Sequence, residues 1–138
     1  MRIEVSKALL RPLVAVAGMV LATLVAPAVA KAPQLAMLDG LANGAWVLHY
    51  RESDERDKIC VRTGRELIQI RHRAAKCSHY VVDDQPNLVT VQYTCPGVGY
   101  GRTTIRRETP RLVQIESSGI EGGLPFHVSA EGRRVGGC

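Results

Sequence analysis

Four cysteines, Cys60, Cys77, Cys95 and Cys138, constrain this chain more than any other feature, because of what precedes them. Residues 1–11 carry Arg2, Lys7 and Arg11 against Glu4. The uncharged run Leu13–Ala26 follows, and then Pro27 and Ala28-Val29-Ala30. A basic start, an apolar middle and a small-x-small end form, in that order, a cleavable secretory signal. Pro27 ends the apolar helix and leaves the cut site extended. The competing reading is an uncleaved anchor, since Pro12–Ala30 is long enough to span a bilayer; its alanine content and Pro27 argue against it. With no cysteine at the cut, a lipid anchor is not expected. All four cysteines then fall in the exported part, where an even count in a small domain implies two disulfides. No pair has the C-x-x-C spacing of a zinc or thioredoxin-like site.

The expected organisation is a signal peptide over 1–30 and one disulfide-stapled β domain over 31–138, in the periplasm. The mature part has 108 of the 138 residues, enough for one modest core. Residues 1–30 hold three of the 18 basic and one of the 13 acidic residues, so 15 cations face 12 anions in the rest, a net charge near +3. That surplus gives mild attraction to acidic surfaces. Trp46, Phe126, Tyr50, Tyr80, Tyr93 and Tyr100 are the only aromatics, too few for a base-stacking platform, and nucleic acid is not an expected partner.

Strand signals dominate the mature part. After a lead-in with an amphipathic turn around Leu35, Leu38 and Leu41, residues 46–51 and 58–62 read as strands about the charged turn 52–56. Thr63 and Glu66 form a capping box that predicts a short helix over 64–70. Residues 76–83 and 88–94 flank a turn at 84–87. Residues 100–108 and 111–118 flank Thr109-Pro110, and the connection 119–124 leads to a last strand over 125–135. Short strands with turns every 8–12 residues predict a mainly β fold: an antiparallel up-and-down meander curled into a half-barrel, with one short helix, two disulfides and an N-terminal signal helix. If Asp84 faces Leu88 across a three-residue loop, Val81 faces Val91, His79 faces Tyr93 and Cys77 faces Cys95, which is within disulfide reach. Cys60 is then left for Cys138. Cys60–Cys77 with Cys95–Cys138 stays open as the alternative.

Asn43-Gly44-Ala45-Trp46, Ile59-Cys60-Val61, Lys76-Cys77, Tyr93-Thr94-Cys95-Pro96-Gly97 and the terminal Arg134-Val135-Gly136-Gly137-Cys138 come in a telling order. The set, covering about residues 43–138, resembles a bacterial periplasmic family catalogued as domain of unknown function 3617. The acid that usually follows the family's Trp is Val47 here, and the family's methionine-rich middle is missing. The resemblance implies a Gram-negative periplasmic setting and brings no activity or ligand.

No catalytic, metal or cofactor-binding set is expected. His49, His72, His79 and His127 have no H-x-H or H-E-x-x-H spacing and read as lone strand or surface histidines. No serine sits in a G-x-S-x-G turn, Glu116–Gly119 being only turn-like, and a hairpin turn explains Asp83-Asp84. Two binding surfaces are expected instead. Arg102, Arg106, Arg107, Arg111, Arg133 and Arg134 fall on strands that neighbour one another in a meander, with Arg102 and Arg106 on one face and Arg107 on the other. Together they make a possible anion-binding patch for an anionic envelope lipid or an acidic protein. The concave side, with Val81, Val89, Val91, Tyr93, Ile105, Val113, Ile115 and Val128, either lines a pocket for a small apolar ligand or fills the core. The expected function is that of a non-catalytic periplasmic accessory or binding module, a monomer; the alternative is a small hydrolase whose site the sequence hides. Protein recovered from a bacterial periplasm should have the denatured mass of residues 31–138 less four hydrogens; a full-length mass would establish the anchor instead.

Overall fold

The computed structural model describes residues 34–138. The signal peptide and its helix, expected over 1–30, lie outside the described residues. Among the described residues no helix is long and apolar enough to cross a membrane.

After one helical turn, α1 (Ala36–Asp39), the described residues build seven strands: β1 (Gly44–Tyr50), β2 (Arg56–Val61), β3 (Ser78–Asp84), β4 (Leu88–Cys95), β5 (Gly99–Thr109), β6 (Leu112–Glu121) and β7 (Leu124–Gly136). They form a single antiparallel sheet in the order β2-β1-β7-β6-β5-β4-β3. Every neighbour pair is consecutive in sequence except β1 and β7, so the order is that of an up-and-down barrel opened between β2 and β3. Alternation sets the faces. Trp46, Leu48 and Tyr50 of β1 point to the buried side with Val91 and Tyr93 of β4, Ile105 of β5 and Val113 and Ile115 of β6. The residues between them face solvent.

The strands bend where the register slips. His79 faces Tyr93 and Val81 faces Val91 as expected, but Val82 is an unpaired bulge, after which Asp83 faces Thr90 and Asp84 faces Val89. The loop is therefore two residues, Pro86-Asn87, closed by the Gln85 amide donating to the Leu88 carbonyl (2.8 Å). Asp84 does not face Leu88. The extra residue absorbs the one-position error of the expected loop, and a bulge also increases the local twist that a curled sheet needs. A second correction concerns 119–124, expected as a connection. Strands β6 and β7 continue through it to a two-residue turn at Gly122-Gly123, both with positive φ (56° and 83°), as a tight hairpin requires. Glu116-Ser117-Ser118-Gly119 is strand, not turn.

The helix expected over 64–70 is a single 3-10 turn, Arg65–Leu67. The Glu66 carboxylate does reach back to the Thr63 amide (3.2 Å), but it also accepts from the Arg62 amide (3.1 Å). That fixes a turn without a following helical register. The chain from Arg62 to Cys77 is instead an irregular crossover between the two open edges, and it buries Leu67, Ile68, Ile70 and His72. With Leu35, Met37, Leu38 and Leu41 these residues supply the second layer of the core.

Both disulfides follow from this arrangement. Ser78 faces Thr94, so Cys77 and Cys95 stand opposite each other, with Cα atoms 4.2 Å apart. Cys60 on edge strand β2 faces Ala45 of β1, which faces Gly136 of β7. The two residues beyond Gly136 carry Cys138 back past Ala45 to Cys60, Cα to Cα 5.7 Å. The alternative pairing is thereby settled against. The Cys60–Cys138 bridge has the larger sequence separation, 78 against 18. In the chain-entropy account such loops stabilise by about 3–5 kcal/mol each. Reduction of both should lower the thermal midpoint by on the order of 25–45 °C, and an unchanged midpoint would show that the packing alone holds the sheet.

Candidate functional site

The open seam between β2 and β3 leaves a cleft of about 520 Å³. Ile59 of β2 and His79 of β3 stand at its two sides, the crossover contributes Ile68 and Gln69, and Leu35 closes one end. Strand alternation puts Ile59 inward, between Lys58 and Cys60, which face out. The backbone of Leu35 is held by its amide donating to an Asp84 carboxylate oxygen (3.2 Å). The lining is predominantly apolar.

The charged groups at the rim are each compensated. Arg65 pairs with Asp39 and donates to the Gln34 carbonyl (2.9 Å), and its guanidinium holds the Asp39 carboxyl below the usual range. Burial alone would raise the Glu66 carboxyl, but the amides of Glu66, Thr63 and Arg62 outweigh it and leave it lowered. Arg73 forms an ion pair with Asp57 and also donates to the Ile70 carbonyl (3.1 Å). Asp57 accepts from the Tyr50 hydroxyl as well (3.0 Å), and burial, reinforced by that carboxylate, raises the Tyr50 phenol. The remaining polar groups are the Gln69 amide and the His79 imidazole, 3.0 Å apart. Burial lowers the His79 pKa from its ordinary 6.5, so the ring is neutral at pH 7. The cleft thus combines an apolar lining with a rim that, among the described residues, presents no uncompensated charge.

The concave-side residues, expected either to line a pocket or to fill the core, do the second. Val89, Val91, Tyr93, Ile105, Val113 and Ile115 fill the core, with Val81 and Val128 packed against it. The crossover occupies the space that an empty half-barrel would have left, which is why the cleft lies at the seam. Inside, a polar string runs from the crossover into the sheet. The Thr103 hydroxyl donates to the Ile68 carbonyl (2.5 Å) and meets the Ser117 hydroxyl (2.8 Å), while the Tyr93 hydroxyl meets His72 Nδ1 (3.0 Å). Burial raises the Tyr93 phenol. Gly101 faces Tyr93 across the ladder, and a Cβ there would lie 2.4 Å from the phenol oxygen, so only glycine admits the ring. His72, expected as a strand or surface histidine, is 3% exposed, and among the described residues its Nε2 has no partner. The Arg71-His72-Arg73 context gave no hint of this. A histidine between two arginines reads as solvated until the crossover is seen to turn inward.

The arginines do not gather. Arg102 and Arg106 are on the outer face of β5, facing Ser118 and Gln114 of β6, and Arg106 is paired with Glu108 (3.2 Å). Arg133 is on the same face but on β7, beyond β6, and is paired with Glu131 (3.0 Å). Arg107 lies over Gly40 and donates to the Pro86 carbonyl (3.0 Å); Arg134 donates to the Asn43 carbonyl (2.7 Å). Arg111 sits in the β5–β6 turn. Sequence alternation separated Arg107 from its neighbours correctly, but could not reveal these individual partners.

A second recess, about 230 Å³, gathers Glu52, Glu55, Asp57, Glu121 and His127. Three of its four carboxylates already have partners: Glu52 accepts from the Ser129 amide (3.2 Å), Asp57 pairs with Arg73 and Glu121 with Arg71. His127 is exposed, 3.7 Å from Glu116. Among the described residues no three His, Cys, Asp or Glu side chains converge to hold a metal ion. Asp83 and Asp84 separate, one accepting from Gln85 (2.8 Å) and the other from Leu35. Comparisons with protein-family models, curated proteins and solved structures give no match for this chain.

Tyr93→Phe removes the partner of His72 Nδ1 and leaves both ring nitrogens of a buried histidine unpaired. It should lower unfolding stability by about 1–3 kcal/mol. Denaturant unfolding of the two proteins side by side measures this, and equal midpoints would show that the polar string carries no stability.

Proposed function

We propose that this chain is an exported, periplasmic, non-catalytic binding protein that holds a small, uncharged apolar molecule in the seam cleft. One observation carries the reading: an apolar recess of about 520 Å³ whose rim charges are matched within the protein. Its volume lies within the range of small-molecule sites, which are mainly apolar with a few placed polar groups. Gln69 and neutral His79 would meet a single hydroxyl or carbonyl of the ligand. A carboxylate there would be desolvated without a free cation to receive it, a cost of several kcal/mol. Two disulfides support an oxidising compartment, and the basic-apolar-small pattern of residues 1–30 supports export into it. The ordered cysteine motifs support membership of the periplasmic family that the sequence resembles.

The neutral dye N-phenyl-1-naphthylamine should brighten on binding, and dodecanol should displace it at lower concentration than dodecanoate. Ile59→Glu should reduce dye affinity about tenfold or more, by placing a carboxylate in the apolar lining. If the folded variant keeps full affinity, or if dodecanoate is preferred, the cleft reading fails. The His79 pKa is lowered in the folded protein, so the neutral ring is the form that folding favours. Stability and dye affinity should both be full above 6.5 and decline as pH falls below it, because protonation then charges the cleft. An acid-side fall in affinity that His79→Gln leaves unchanged would remove His79 from the site.

A further inference from the structure

We propose that the end of the sheet formed by the β4–β5 and β6–β7 turns docks on an anionic phospholipid surface. The two turns lie side by side, the Gly122 amide donating to the Val98 carbonyl (3.1 Å). Their apolar side chains point into solvent: Leu124 is 71% exposed and Val98 44%. Among the described residues nothing stands within 4 Å of the space a side chain would take at Gly97, Gly122 or Gly123. Directly behind them on the outer face, Tyr100 (50% exposed) faces Ile120, which faces Pro125. The next row holds Tyr80, Gln92, Arg102, Ser118 and His127, with no acid in either row.

That layering suits a bilayer interface: apolar tips to enter the acyl boundary, tyrosines and a cation at the level of the headgroups. The charges around the tips favour an anionic surface. Arg102 and Lys76 have no carboxylate within ion-pair distance among the described residues, and Lys76 adjoins the Cys77–Cys95 bridge at the base of the β4–β5 turn. Arg71 lines a hollow with Val98 and Ala75, and there Glu121 neutralises it. The acidic Glu52, Asp54 and Glu55 stand in the β1–β2 turn at the same end, so the surface engages through the side carrying β3 to β6. A second copy of this chain is the poorer fit, because the outer-face rows offer no carboxylate to Arg102. The inference is independent of what the cleft holds.

Co-sedimentation of the mature protein with phosphatidylcholine vesicles containing about a quarter phosphatidylglycerol tests it. Binding should exceed that to pure phosphatidylcholine and fall with added salt. Val98→Asp with Leu124→Asp should weaken it about tenfold or more, and Arg102→Glu several-fold. All three positions are exposed, so thermal midpoints should stay near that of the parent; if the double variant does not fold, Arg102→Glu carries the test. Failure to bind the anionic vesicles, or binding that ignores salt and substitutions alike, would overturn the proposal. So would a dimer in sedimentation that the same substitutions dissolve, since the surface would then meet a second copy.

Discussion

The fold depends on how the crossover between β2 and β3 satisfies its own backbone while lying against the concave side of the sheet. A stretch without regular secondary structure carries amides and carbonyls that burial would leave unpaired. Here the Ile68 carbonyl is met by Thr103, the Arg62 and Thr63 amides by Glu66, and the Ile70 carbonyl by Arg73. Those contacts let Leu67, Ile68 and Ile70 reach the core. Because the crossover provides the second layer, the sheet need not close on itself, and its two edges stay apart.

The cleft is a consequence of that packing. A closed barrel would have paired β2 with β3; the crossover instead leaves Ile59 and His79 on either side of an apolar gap. The same segment supplies Arg65, Glu66 and Arg73, and their partners come from α1, their own turn and β2. Compensation of charge and formation of the recess are therefore one structural event. The Tyr93–His72 contact and the close approach of Gly101 to Tyr93 hold the other side of the crossover against the sheet.

Much of the architecture was legible because strand alternation and turn residues are local signals. A hairpin about residues 84–88 places Cys77 opposite Cys95, as observed, even with a loop one residue too long. The bulge at Val82 restored the register, and no local pattern announces a bulge between two valines and two aspartates. The extension of β6 through Gly119 was hidden because glycine reads as loop, whereas Gly119 and Gly101 are paired strand positions where backbones and Tyr93 come close. The site was less legible than the fold. Ile59 and His79 are distant in sequence and join only across the seam, and Ile68 read as part of a helix.

The sequence by itself determined the class of the molecule: alternating apolar strands and two disulfides from four cysteines. These follow from composition and from spacings of a few residues. Only the tertiary structure decided that β1 pairs with β7, that the sheet opens between β2 and β3, and that His72 is buried while the arginines disperse. Each of those depends on contacts between segments far apart in the chain, where the free energy of packing, not local preference, selects the arrangement.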